Sequence, residues 1–124
     1  MKKLIPHTRR PDISFHRNGT IRLSSRIVRI LSISPGDSIN IALSNGEYLL
    51  HAIRHPPQSG RFEAQCRASK RGGRNLCANS VRLCSSLMKA IGCHADKIAF
   101  PVGQPTIINQ TLYLPIITLN PIKQ

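Results

Sequence analysis

Gly19-Thr20-Ile21-Arg22-Leu23-Ser24-Ser25-Arg26-Ile27-Val28-Arg29-Ile30-Leu31-Ser32-Ile33-Ser34-Pro35-Gly36-Asp37-Ser38-Ile39-Asn40-Ile41 changes its hydrophobic period twice. Thr20 to Leu23 alternates polar and apolar, the period of a half-buried strand. Ser24 or Ser25 can then accept a backbone N–H and cap a helix. From Arg26 to Leu31 the period becomes helical: Ile27, Val28 and Leu31 share one face, and Arg26 and Arg29 share another. Ser34-Pro35-Gly36-Asp37 has turn chemistry that ends the helix, and Ile39, Ile41 and Leu43 resume period two.

Upstream, Ile13-Ser14-Phe15-His16 alternates as well, and Asn18-Gly19 between the two alternating runs predicts a hairpin closed by a tight primed turn. Downstream, Asn45-Gly46 predicts a second hairpin whose return strand is Glu47 to Ile53. Residues 12–54 thus read as hairpin, short helix, hairpin, which is the inventory of half a barrel. Two hairpins and two helical turns enclose little apolar surface, so the unit needs a second copy or the rest of the chain to cover it. Dimerisation is the expectation. His55-Pro56-Pro57-Gln58-Ser59-Gly60 reads as a linker, because consecutive prolines cannot donate to a ladder. Residues 61–124 read as a separate small α+β domain. It has one amphipathic strand on Phe62, Ala64, Cys66 and Ala68, a basic turn, and a helix from Val81 to Ile91 capped by Asn79 or Ser80. Strands follow at Lys97 to Phe100 and within Thr106 to Leu119, with a turn at Asn109-Gln110. No sequence repeat of the first half is evident. The overall expectation is a mostly β, α+β chain: a basic arm (1–11), a β-β-α-β-β half-barrel (12–54), a linker (55–60) and a β-α-β-β region (61–124).

Charge narrows the partners. The 124 residues hold 18 Lys+Arg against 5 Asp+Glu, a formal net charge of +13. Such a surface attracts polyanions, nucleic acids first among them. Aromatic residues are scarce, with three Phe, two Tyr and no Trp, which weakens recognition by base stacking. No apolar run reaches the length of a membrane span and no signal-peptide core follows Met1, so a cytoplasmic protein is expected, without a membrane partner. In that compartment Cys66, Cys77, Cys84 and Cys93 are expected as thiols, with Cys66 and Cys84 on core faces. With His94 they form the one candidate metal set, but no Cys-x-x-Cys knuckle presets two ligands, so no metal or other cofactor is expected. The five carboxylates are scattered and no nucleophile–base motif appears, which argues against an enzyme and identifies no small-molecule substrate.

The Gly19–Ile41 stretch resembles the AbrB/MazE/SpoVT family of swapped-hairpin DNA-binding domains. The landmarks are the Gly, the alternating positions, the short helix ending in Leu, the Gly-Asp turn and the next alternating strand. The resemblance covers residues about 13–54. It implies a homodimer, with a tetramer of paired dimers as the alternative, whose hairpins interleave into one barrel with basic residues meeting duplex DNA, the usual setting being transcriptional regulation. Ser24 stands where the family usually has Pro, and Arg29 is the retained member of an arginine pair whose other position holds Val28. A C-terminal segment that neutralises a nucleic-acid-cutting toxin is expected to be acidic, whereas residues 61–97 carry eight Lys+Arg against Glu63 and Asp96.

The candidate contact residues are Arg17, Arg22, Arg26 and Arg29, crowded around the first hairpin and helix, where guanidinium forks suit phosphates and guanine edges. Lys70, Arg71 and Arg74 join them, on a glycine-containing turn whose amides can approach phosphate. Two other readings fit the same composition: a non-catalytic dimeric assembly protein with an acidic partner, and an RNA-binding module.

Overall fold

The computed structural model describes residues 11–56, 60–70 and 73–118. The chain is mostly β with two short helices. The elements are β1 (Ile13–His16), β2 (Thr20–Leu23), α1 (Ser25–Leu31), β3 (Ser38–Ser44), β4 (Glu47–Ile53), β5 (Arg67–Ala68), β6 (Leu76–Asn79), α2 (Val81–Ala90), β7 (Lys97–Phe100), β8 (Thr106–Ile108) and β9 (Thr111–Ile116). They form two antiparallel sheets, in the orders β5-β6-β2-β1-β7 and β3-β4-β9-β8. The basic arm (1–10), residues 57–59 of the linker, Arg71 and the last six residues lie outside the described residues.

Local chemistry sets the element boundaries. Ser24, not Ser25, caps α1 and accepts from the Ile27 amide at 3.4 Å; Ser80, not Asn79, caps α2 and accepts from Leu83 at 3.0 Å. At its far end α1 stops at Ser32 in the left-handed region, with the Ser32 and Ile33 amides turned back onto the Arg29 and Val28 carbonyls. The helix is therefore over before Ser34-Pro35-Gly36-Asp37, which forms the following turn. Asn45-Gly46 closes a two-residue hairpin with both residues at positive φ, as a primed turn requires. Asn18-Gly19 does not. Of that pair only Gly19 has positive φ, and Arg17, Asn18 and Gly19 form a three-residue loop closed by Gly19 N–H on the His16 carbonyl. A Cβ on Gly19 would sit 2.8 Å from Val81 Cγ2 and 2.9 Å from the Val81 nitrogen, so the loop can reach the start of α2 only with glycine there.

The separate C-terminal domain is not found. β6 pairs with β2 and β7 with β1 in one sheet, while β9 pairs with β4 in the other. One core cluster contains Phe15, Ile27 and Leu50 from the first half beside Met88, Phe100 and Leu114 from the second. The pairing partners that the half-barrel lacks are supplied by the same chain, because strands exposed on two edges are covered first by the strands tethered nearest to them.

The two halves share an order of elements. A shift of 56 positions carries β2 onto β6, the cap Ser24 onto Ser80 and Arg26 onto Arg82 at the start of the following helix. A shift of 64 carries the two-residue tip Asn45-Gly46 onto Asn109-Gln110. The start of β3 bridges residues 64–66 as β7 pairs with β1: Cys66 N–H reaches the Asp37 carbonyl, and Arg17 N–H the Asp96 carbonyl, each at 2.7 Å. The expected strand on Phe62 to Ala68 is consequently reduced. Ala64 has positive φ, Phe62 is exposed and stacked on His55 at 3.6 Å, and only Arg67–Ala68 remains regular.

Candidate nucleic-acid interface

Strand alternation sorts the five-stranded sheet into two faces. Ile13, Phe15, Ile21, Leu23, Leu76 and Ala78 point into the core. Their neighbours point the other way, and the registers line them up across the sheet. Ala99 faces Ser14, Ser14 faces Arg22, Arg22 faces Cys77, and Cys77 faces Arg67. One step along, His16 faces Lys97 and Thr20 faces Asn79. Ala99 and Ser14 are buried, so the exposed cations of the row are Arg22 and Arg67, two strands apart, about 10 Å, with Lys97 on the far edge strand.

Cations outnumber free carboxylates on this face, because four of the five carboxylates lie beside other arginines, Asp12 and Asp96 at the borders of the face among them. Asp12 holds Arg26 at 3.2 Å, Asp37 holds Arg54 at 2.6 Å, Glu63 holds Arg82 at 3.0 Å, and Asp96 lies 3.9 Å from Arg17. Glu47, the fifth, opens β4 in the other sheet. Arg22, Arg67 and Lys97 are exposed and have no hydrogen-bond or ion-pair partner among the described residues, and neither do Arg29, Lys70 and Arg74. His16 senses the excess: burial lowers the pKa of its imidazole, and the charges of Lys97 and Arg22 push it the same way.

The six described sequence candidates do not form a single patch, and Arg71 lies outside the described residues. Arg17 staples the loop before β7, donating to the carbonyls of Ala95 at 2.8 Å and Cys93 at 3.3 Å. Arg26 is turned onto buried Asp12. Arg29 is exposed on the last turn of α1. Arg22 stands on the sheet face, in the wall of a cleft shared with Asp12, Ser14, Ser24, Ser69 and Asn75, where Arg26 holds the Asp12 carboxylate. The β5–β6 loop closes over one side of that cleft through Ser69 N–H on the Asn75 carbonyl, which sets exposed Lys70 and Arg74 at its rim. Arg67 and Lys97 are the residues that sequence reading missed. Their outward direction follows from strand phase, since Cys66 before Arg67 is buried, but their neighbours on the face come from other strands.

All four cysteines are free, and burial of Cys66 pushes its thiol pKa up to about 12, which leaves it a weak nucleophile and ligand. Among the described residues no three His, Cys, Asp or Glu side chains stand together as a metal site, and no helix is long and apolar enough to cross a membrane. Comparison with known proteins finds no matching family model, no matching curated protein and no matching solved structure.

Proposed function

We propose that the chain binds duplex DNA through the outer face of the β5-β6-β2-β1-β7 sheet, as a non-catalytic regulator of transcription. The observation that carries this is the Arg67–Arg22 row with Lys97 beside it, exposed cations that have no ion-pair partner among the described residues, while Asp12 in the same cleft is already held by Arg26. Cations spread over separate strands cannot converge on one phosphate. They match instead a polyanion that presents phosphates along its length, and releasing its counterions supplies the affinity. Arg22, backed by the Ser14 and Ser24 hydroxyls and the Asn75 amide in its cleft, is the best placed to hold one phosphate or reach a groove edge. The β-β-α-β-β order of residues 13–53 and the interleaving of the two halves support kinship with swapped-hairpin domains, here with both halves on one chain.

Fluorescence-anisotropy titration of duplex DNA, matched RNA and heparin over a salt series tests the reading. Arg22→Ala with Arg67→Ala should weaken duplex binding at least about tenfold and lower the salt slope by about 2, near one per cation removed. Unchanged affinity and slope in a folded double variant would overturn the site. Preference for structured RNA, or loss of all binding near physiological salt, would point to the RNA-binding and assembly readings respectively.

A further inference from the structure

The second sheet is as neutral as the first is basic. Across β3, β4, β8 and β9 the only Asp, Glu, Lys or Arg is Glu47, and residues 98–118 contain none. β8 is the outer strand of this sheet, and all three of its residues are exposed: Ile107 at 73%, with Ile108 and Thr106 beside it. Edge strands normally carry a guarding charge or proline. Arg67 on β5 and Lys97 on β7 serve that purpose at the two edges of the first sheet; β3 and β8, the edges of the second, have no counterpart, and only β3 is tied at its start to another segment, residues 64–66.

The backbone geometry makes the edge specific. Asn109 and Gln110, both at positive φ, form a two-residue hairpin loop between Ile108 and Thr111. Such a loop closes on a hydrogen-bonded Ile108–Thr111 pair, so the next residue out, Ile107, turns its N–H and C=O away from β9 toward the open edge.

We infer that β8 is the self-association edge of this protein, pairing antiparallel with β8 of a second copy. The occupant follows from charge. An acidic partner is drawn to the opposite, basic sheet, whereas a second copy at +13 can approach closely only where cations are absent. The geometry is self-complementary. A two-fold axis through Ile107 sets that residue opposite its own copy, exchanging both backbone hydrogen bonds, and sets Thr106 opposite the copy's Ile108. The four-stranded sheets join into one of eight strands, and because the axis is normal to the sheet both basic faces end on the same side. The contact is short, which places the complex among small, transient interfaces.

Sedimentation equilibrium of the full chain in moderate salt, from about 5 to about 500 µM, should show a monomer shifting to a dimer over that range, as small interfaces do. Ile107→Lys should weaken the dimer at least tenfold, while Leu43→Lys, at an exposed (65%) position of the other hairpin, should leave it unchanged. Hydrogen exchange of the wild type should slow at Ile107 as concentration rises, a readout that needs no variant. A monomer at every concentration, a dimer that survives Ile107→Lys, sensitivity to Leu43→Lys instead, or exchange at Ile107 independent of concentration would each overturn the assignment. DNA titration is not involved, so its outcome leaves this test untouched.

Discussion

The two halves of the chain use one device in two environments. At the start of α1, Ser24 caps the helix and donates to Asp12, which also holds Arg26; at the start of α2, Ser80 caps the helix and donates to Glu63, which also holds Arg82. The first junction is inside the protein: the Asp12 side chain is 9% exposed and also accepts the Val102 amide from across the sheet at 3.1 Å. The second is at the surface, with Glu63 at 47%. The same contrast separates Asp37, which is buried and accepts from Ser34 and Arg54, from fully exposed Asp96. A repeated backbone thus does not require equally strong polar ties. Where the carboxylate is buried it becomes obligatory, and where it is wet it is nearly optional.

The largest expected effect comes from breaking the buried junction. Asp12→Ala strips the partner from the Val102 amide, the Ser24 hydroxyl and Arg26 at once, and should cost about 2–4 kcal/mol. Glu63→Ala removes an exposed pair and a hydroxyl contact that water replaces, and should shift the midpoint far less. Urea denaturation of both variants measures the difference, and equal losses would show that the two junctions are energetically alike.

Acid should loosen the tie at the start of β3. Burial works to raise the Asp37 pKa, but the Ser34 amide, the Arg54 guanidinium and the His55 amide outweigh it and hold the group below its ordinary 3.8. A depressed folded value means that its stabilisation is complete above the unfolded pKa and is lost as pH falls through the folded one. Wild-type stability should therefore decline below about pH 4, with a shallower decline in Asp37→Asn. Denaturation midpoints between pH 2 and 6 test this, and an equally steep decline in Asp37→Asn would show that another group carries it. Arg54 also donates to the Leu31 and Ser32 carbonyls, so the loss should appear first as fraying at the end of α1.

This contrast also explains what could be read in advance. Caps, turns and alternation are local, so the strands and helices of residues 13–53, and α2 with its serine cap, were legible from residue order. Partner choice is not local. Nothing in the period of Leu76–Asn79 says that it will lie beside Thr20–Leu23, and so the second half read as a separate domain. The repeat was hidden because its shared side chains are few, chiefly Ser24 with Ser80 and Arg26 with Arg82. The offset between the halves also drifts, from 56 positions at the caps to 64 at the hairpin tips, because α2 is three residues longer than α1 and residues 101–105 separate β7 from β8 where β3 is continuous. Arg22 was recognisable as an outward strand residue, but Arg67 became its neighbour only through two strand pairings.

The smallest expected effect sits at the hairpin tips, where the halves again differ by one residue. Asn45-Gly46 and Asn109-Gln110 adopt the same left-handed pair of conformations, with φ of 50° and 78° in the first and 49° and 69° in the second. Glycine occupies that region without steric conflict, whereas the Cβ of Gln110 crowds a carbonyl, a cost of about 1 kcal/mol. Gln110→Gly should recover part of it, offset by the greater freedom of glycine in the unfolded chain, for a net gain of about 0.5 kcal/mol. Gly46→Gln should lose at least as much. Opposite shifts of the two variants in urea midpoint would show that the tips are interchangeable, and a loss in both would mean that the Gln110 side chain contributes something beyond its backbone angle.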